Sequence, residues 1–520
     1  MSFIKNLKET LDNEFNTSVT ENGALGFRTT GKQLMDINFS ISSMRNMTEQ
    51  EITDRYAKAF YEDKLLAVKW LFYASDVRGG IGERRLFRIC FLYLAQNHKE
   101  IAKAVINLVP EYSRWDNLFG LFDTDLADCV ASLIREQLQE DMRNMAEKKS
   151  ISLLAKWLPS ANASSKETKR RARFLISKLN MTEKQYRKTL SALRSYLKVV
   201  EVYMSRKAWQ EINYAIVPSR ANLIYNSAFL RNDEERRKAY LESLKKGETK
   251  INAGVLFPHD IVNKYYEASN TPWSRTVKGA EDTTLEELWK ALPDYVQGAG
   301  NTICVSDGSG SMTISVGGTN IRALDVAQAL SIYFSERCTG EFHNNYITFS
   351  SNPQFVDLSR ASSLREKIEI ANRYSEVANT NIEAVFDLIL TTAVKNHMTQ
   401  EEMPKNILIL SDMEFDSCVT CGDTKVRYVQ KPEPKLFEMF EKKYQSYHYQ
   451  LPRLVFWNIN SRTGTIPVKE NKLGATLVSG FSPAVVKMVL SSSIDPYQCL
   501  LEQINAERYD AVEQAIKEYI

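Results

Sequence analysis

The sequence predicts two parts of different class: an N-terminal α-helical (HEAT-like) solenoid or ring, followed by a doubly wound α/β domain. Before about residue 300, apolar residues recur at helical spacing almost without interruption; after it, short apolar runs alternate with amphipathic helical segments. Directly after the first of those apolar runs stands Cys304-Val-Ser-Asp-Gly-Ser-Gly-Ser-Met312, which sets Asp307, Ser309 and Ser311 at alternate positions. That spacing marks the end of a strand and gathers one carboxylate and two hydroxyls there.

Residues 1–30 read as a partly extended arm, and residues 31–296 as the helical array. Thr48-Glu-Gln-Glu51 and Thr182-Glu-Lys-Gln185 have the form of capping boxes, each opening an amphipathic run. Ala57, Phe60, Leu65, Val68, Leu71 and Phe72 share a helical face, as do Leu86, Ile89, Cys90, Tyr93 and Leu94, and Leu190, Leu193, Leu197 and Val200. Breaks at Gly79-Gly80-Ile81-Gly82, Val109-Pro110, Leu158-Pro159 and Val217-Pro218 give helices of a length that stacks in pairs. Ala268–Ala280 reads as a linker, and Leu285–Val296 as a helix leading into the second part.

The second part spans residues 300–495. Asn301–Ser306 is a strand, Ile321–Cys338 a helix with Leu324, Ala327, Leu330 and Phe334 on one face, and Tyr346–Phe349 a second strand. A helix over Asn381–Asn396 precedes the strand Asn406–Leu410, and Leu454–Ile459 and Ala475–Val478 follow. Strands separated by helices pair in parallel through right-handed crossovers, and such sheets bind ligands beyond the carboxyl ends of their strands, where the strand order reverses. Residues 496–520 read as a charged amphipathic helix, with Leu500, Leu501, Ile504, Ala511 and Ala515, that packs back on the helical part.

Two more residues fall where the crevice needs them: Thr380 on a loop before a helix, and Asp412 straight after Ile407-Leu-Ile-Leu410 and Ser411. Oxygen-only donor sets suit hard cations that keep coordination positions open. Together Asp307, Ser309, Ser311, Thr380 and Asp412 resemble the metal-ion-dependent adhesion site (MIDAS) of von Willebrand factor A domains. The resemblance implies Mg2+, or Mn2+ or Ca2+, held directly by Ser309 and Ser311, by Thr380 directly or through water, and by Asp307 and Asp412 mostly through water. It further implies a protein partner whose acidic side chain completes the shell.

Charge is uneven along the chain. Residues 1–300 carry 46 Lys and Arg against 38 Asp and Glu, whereas the whole chain has a net charge of only +3. Residues 151–200 hold 12 basic residues against Glu167 and Glu183 alone. Basic helices interleaved with Tyr186 and Tyr196 suit a phosphate backbone. The candidate RNA-binding set is Lys166, Lys169, Arg170, Arg171, Arg173, Lys178, Arg187 and Lys188, with Arg84 and Arg85 after the glycine-rich turn; a solvated helix face is the plainer alternative. The other motif residues have structural readings, Trp115 in the core and His259 as a satisfied structural histidine.

Several classes are disfavoured. No apolar stretch approaches the roughly 20 residues of a membrane span, and the N-terminal segment lacks an apolar signal core, so a soluble, cytoplasmic protein is expected. Seven scattered cysteines argue against a disulfide framework, and the lone Cys418-x-x-Cys421 lacks the second pair that zinc requires. There is no phosphate loop, no His-Glu-x-x-His and no nucleophile elbow, and the residue two after Asp307 is Ser309 rather than the second acid of a phosphotransferase. No enzymatic activity is expected.

An all-helical part of about 300 residues joined to an A domain resembles the layout of the Ro autoantigen, or TROVE, family of RNA-binding proteins. The stretches Asp76-Val-Arg-Gly-Gly-Ile-Gly-Glu-Arg-Arg85, Tyr112-Ser-Arg-Trp-Asp116 and Lys250-Ile-Asn-Ala-Gly-Val-Leu-Phe-Pro-His259 are similar to those of a related uncharacterised family of the same layout. The resemblance implies a ribonucleoprotein component: a ring of helical repeats binding small or misfolded RNA, and a metal-dependent A domain docking an acidic partner. The alternative is a protein-only scaffold or assembly factor that uses both parts to grip proteins.

Overall fold

Parallel pairing of buried apolar strands builds the sheet that positions the candidate site. In the computed structural model, which describes residues 3–267, 275–297, 301–349, 352–374, 381–416, 436–489 and 495–520, the chain divides into two compact units. One comprises Met1–Thr48, Ala57–Glu62 and Leu256–Gln503 and carries the sheet; the other comprises Glu49–Tyr56, Asp63–Val255 and Ile504–Ile520 and is helical. The fold is thus a helical part together with a mixed α/β part. Among the described residues no helix is long and apolar enough to cross a membrane.

The sheet unit opens with a short antiparallel pair, β1 (Thr17–Val19) and β2 (Leu25–Phe27). Its six-stranded sheet contains β3 (Thr302–Asp307), β4 (Asn345–Phe349), β5 (Gln354–Asp357), β6 (Asn406–Ser411), β7 (Arg453–Asn458) and β8 (Ala475–Ser479). The strand order is β5-β4-β3-β6-β7-β8, parallel throughout except for the edge strand β5, which runs antiparallel to β4. Every residue of β3 and β8 is buried, as expected of strands covered on both faces. The crossover helix Ala323–Arg337 is buried from Ala323 to Ser335, so it is covered nearly all round rather than along one stripe, with Asp325, Gln328, Ser331 and Ser335 among the buried residues.

Residues 17–48 belong to this unit and are fastened across it. Phe27 and Ile466 exchange both main-chain hydrogen bonds at 2.8 Å. Gly26 is required there, because a Cβ on it would lie 2.6 Å from Thr465 Cγ2 and 2.7 Å from the Ile466 carbonyl oxygen. Asn458 donates to the Phe39 carbonyl at 2.8 Å, Asn46 to Asn460 at 2.9 Å, and the Ser42 main-chain N–H to Ser479 Oγ at 3.0 Å.

The helical unit is a series of sequential helices, among them Lys64–Ser75, Arg84–Asn97, Ala127–Ala146, Lys166–Lys178, Glu183–Tyr196, Ser219–Asn232 and Glu234–Lys245. The second predicted capping box is present: Thr182 Oγ1 accepts from the Gln185 N–H at 3.2 Å and Gln185 returns the bond to the Thr182 N–H at 2.8 Å. Lys64–Ser75 is buried from Ala67 onward and lies centrally in its unit. Residues 496–520 form two helices rather than one, Pro496–Ile504 and Asp510–Ile516, separated by a turn at Glu507–Tyr509. The second packs on Lys64–Ser75, burying Tyr509, Val512 and Ile516. Buried Asp76 is held there by an ion pair with Arg508 and by the Tyr509 hydroxyl at 3.2 Å, and buried Lys69 pairs with Glu513 at 2.7 Å.

The glycine-rich turn folds the chain back on the end of that central helix. Ile81 N–H donates to the Tyr73 carbonyl at 3.2 Å and Glu83 N–H to that of Ala74 at 2.7 Å. A Cβ on Gly80 would stand 1.9 Å from the Tyr73 carbonyl oxygen, so the backbone itself would have to move. Gly80→Ala is therefore expected to cost more than about 2 kcal/mol in urea unfolding, whereas Gly120→Ala, where nothing lies within 4 Å of the added carbon, should cost far less.

Candidate metal-docking site

The strand order places a reversal between β3 and β6, the two central strands, and the predicted site residues stand at their carboxyl ends. Ser306 pairs with Leu410, so Asp307 at the end of β3 comes level with Ser411 at the end of β6. The Ser411 hydroxyl donates to Asp307 Oδ2 at 2.6 Å and the Ser309 N–H to Asp307 Oδ1 at 2.8 Å. Ser309 and Ser311 hydroxyls lie 3.0 Å apart, and Ser311 hydrogen-bonds Asp412. Four of the five predicted ligands, Asp307, Ser309, Ser311 and Asp412, are thereby brought together; Thr380 lies outside the described residues, as do Cys418 and Cys421.

Both carboxylates are buried, Asp307 at 0% and Asp412 at 1% exposure. Burial first, and then the charge of Asp412, hold the Asp307 carboxyl up to about 7 from its ordinary 3.8. Burial likewise raises Asp412, opposed chiefly by Arg462. Arg462 Nη1 donates to Asp412 Oδ2 at 3.1 Å, whereas among the described residues no cationic side chain lies within ion-pair distance of Asp307. A pair of buried carboxylates with neighbouring hydroxyls and one arginine fits a hard, oxygen-seeking cation: the donors are all oxygen and the negative charge is incompletely met. Asp307, Ser309, Ser311 and Asp412 could hold it.

The frame around the site is not marked by any motif in the sequence. Glu414 is fully buried, and its carboxylate accepts from the main-chain N–H groups of Arg462 and Thr463, each at 2.8 Å, and of Glu21, also at 2.8 Å. It also accepts from the hydroxyls of Ser461 and Thr463 at 3.3 and 3.1 Å. Arg462 reaches from Asp412 to Glu21, donating from Nε at 2.8 Å. The one available signal was an acid two residues after Asp412, in Ser411-Asp-Met-Glu414. Arg462 and Glu21 carried none, being far from the motif in sequence.

The predicted RNA-binding residues divide by their partners. Arg84 pairs with Asp116 at 3.0 Å, and burial pushes its guanidinium down to about 10. Arg170 chelates Asp123 at 2.7 and 2.9 Å and also meets Glu167 at 2.8 Å; Arg171 shares Glu167 at 2.8 Å, and Lys178 pairs with Asp128. Lys166, Lys169, Arg173, Arg187 and Lys188 form no ion pair among the described residues, and all but half-buried Lys169 are exposed. Lys166, Lys169 and Arg173 fall on one face of their helix by their spacing. Arg85 is exposed on the helix after the glycine-rich turn. Trp115 is buried, as expected of a core residue, and His259 is buried edge-on to Phe481 with ring centroids 5.2 Å apart.

Two family models match the chain, each described as a domain of unknown function: DUF2828 over residues 20–111 and 163–302, and DUF7788 over residues 301–518. Their junction falls at the start of β3. An uncharacterised protein of Acanthamoeba polyphaga mimivirus is 28% identical to this chain over 530 residues, covering 94% of this chain and 87% of its own length. Among solved structures, the RO (RSR) protein of Deinococcus radiodurans is similar at a TM-score of 0.45 and 13% identity, over 90% of this chain and 94% of that one.

The raised Asp307 sets a pH dependence. The native state keeps a proton there that the unfolded chain releases above about 3.8, so this contribution to stability is complete below that pH and is lost as pH rises to about 7. The loss is on the order of a few kcal/mol. Asp307→Asn cannot ionise, so metal-free Asp307→Asn is expected to unfold at higher temperature than wild type at pH 8, with the gap closing toward pH 4.

Proposed function

We propose that the chain is a non-enzymatic docking protein whose sheet unit uses a divalent cation, Mg2+ by the donor chemistry, to grip an acidic side chain of a protein partner. The observation that carries this reading is the convergence of Asp307, Ser309, Ser311 and Asp412 at the strand-order reversal, with the Asp307 charge unpaired. Bound there, the cation supplies electrophilic coordination to a carboxylate. The chain's own residues hold it: Ser309 and Ser311 offer hydroxyl oxygens, Asp307 and Asp412 offer charge, and Thr380 belongs to the same proposed set. Arg462 offsets part of the charge of Asp412, so it competes with the cation.

Titration calorimetry of the full chain with Mn2+ tests the site. Asp307→Ala should weaken binding by about 10- to 100-fold, the cost of losing a carboxylate that holds the metal through water, and Arg462→Gln should tighten it by about tenfold, equivalent to about 1.4 kcal/mol. Undiminished Mn2+ affinity in Asp307→Ala would remove the metal from the proposal.

The helical unit is proposed to bind RNA, making the chain a Ro-like ribonucleoprotein component. The supporting observation is the exposed basic set Lys166, Arg173, Arg187 and Lys188, with Lys169, which carboxylates of the described residues do not neutralise. Arg84, Arg170, Arg171 and Lys178 contribute less on this reading, because a phosphate would have to displace an acidic partner. Contacts of this kind are to phosphate and therefore salt-sensitive. Fluorescence anisotropy with a labelled hairpin RNA should show at least tenfold weaker binding for Lys166→Glu/Lys169→Glu/Arg173→Glu, and a shallower dependence on salt. Equal affinity for wild type and variant, or no RNA binding at low salt, would leave a protein-only scaffold as the function.

A further inference from the structure

We propose that the helix Phe3–Phe15 is a self-association element that docks antiparallel on the same helix of a second copy of this chain. Every side chain described in this helix is exposed. Phe3 and Phe15 are each 77% exposed, Ile4 67%, Leu7 45% and Leu11 43%. Phe3, Leu7, Leu11 and Phe15 recur every fourth residue and, with Ile4, make one continuous apolar stripe. A helix this short is marginal in water without something to cover such a face.

Its base is firmly held. Asn16 N–H continues the helix to the Asp12 carbonyl at 3.0 Å, while Asn16 Oδ1 accepts from the N–H groups of Arg28 and Thr29 at 3.1 and 3.0 Å. The stripe is therefore presented from a fixed point.

The sequence of the helix favours a copy of itself as occupant. Four of the five apolar positions, Phe3, Leu7, Leu11 and Phe15, are palindromic about residue 9, so a two-fold axis there sets Phe3 opposite the partner's Phe15 and Leu7 opposite the partner's Leu11, while Ile4 falls opposite the partner's Glu14. Charge has the opposite symmetry. Lys5 and Lys8 lie in the first half and Asp12 and Glu14 in the second, so antiparallel pairing lays the basic half along the partner's acidic half. A lipid surface fits less well, since interfacial helices are rich in Lys and Arg on the polar face, whereas this one has two lysines against Glu9, Asp12 and Glu14. Two such stripes bury on the order of 1,000 Å² in total, the lower limit for a specific interface, so a concentration-dependent dimer is expected rather than a permanent one.

Sedimentation velocity of the full chain tests this over about 1 to 200 µM, a range that brackets the weak affinity such an area supports. Wild type should pass from monomer to dimer. Leu7→Asp/Leu11→Asp should raise the dissociation constant at least tenfold without moving the thermal midpoint, because both side chains are exposed in the single chain. Lys5→Glu/Lys8→Glu and Asp12→Lys/Glu14→Lys should each self-associate more weakly than wild type, and mixing the two should restore the dimer. A monomer at every concentration, a Leu7→Asp/Leu11→Asp chain that dimerises like wild type, a mixture no better than its components, or wild type that stays monomeric and floats with phosphatidylcholine vesicles would each overturn the proposal.

Discussion

The parallel pairing of β3 with β6 is the constraint from which the site follows. Their register brings the ends of the two central strands level, so a carboxylate placed one residue past the last pair on one strand meets a hydroxyl on the other. A slip of one residue would turn every side chain to the opposite face of the sheet and take Asp307 away from Ser411. The apolar runs Ile303-Cys-Val305 and Ile407-Leu-Ile-Leu410, buried on both faces, fix that register. The chemistry at the edge therefore rests on core packing several residues away.

Two buried carboxylates of the sheet unit, Glu414 and Asp307, meet different fates. Glu414 is ringed by main-chain and hydroxyl donors drawn from two segments far apart in the chain, Glu21 and Ser461 to Thr463, and it works as a structural anchor. Asp307 is hydrogen-bonded only by Ser411 and Ser309 and has no cation in ion-pair reach among the described residues, and its proton is held correspondingly tightly. A buried charge without full compensation is costly. The contrast separates an acid that organises the loops from one with capacity left for a ligand.

Most of the sheet was legible in the sequence because buried parallel strands are short continuous apolar runs and their crossover helices carry caps and periodicity. The strands expected at Asn301–Ser306, Asn406–Leu410, Leu454–Ile459 and Ala475–Val478 form at Thr302–Asp307, Asn406–Ser411, Arg453–Asn458 and Ala475–Ser479. The edge strand β5 was not read, since Gln354-Phe-Val-Asp357 is short and three of its four residues are not buried. The pairing of residues 17–30 with residues more than 390 positions away was equally hidden: Thr20 donating to the Phe415 carbonyl and Ser18 meeting Thr465 leave no local pattern. Arg462 was illegible for the same reason, and the ion pairs of Arg170, Arg171 and Lys178 showed how far a count of basic residues overstates the charge available to a ligand.

The involvement of Asp510–Ile516 with Lys64–Ser75 has a consequence for how the chain is made. Asp76 and Lys69 leave the ribosome more than 400 residues before Arg508 and Glu513, and the entire β3 to β8 sheet is translated in between. The sheet unit is interrupted in the same manner, since residues 17–48 wait for β7 and β8. The helical unit cannot complete itself before Arg508 and Glu513 are made, nor the sheet unit before β7 and β8 are. Native closure is a late event of high contact order, slow by its topology, and in the interval the buried polar groups Asp76 and Lys69 stand without their partners, which leaves the incomplete helical unit open to misassembly.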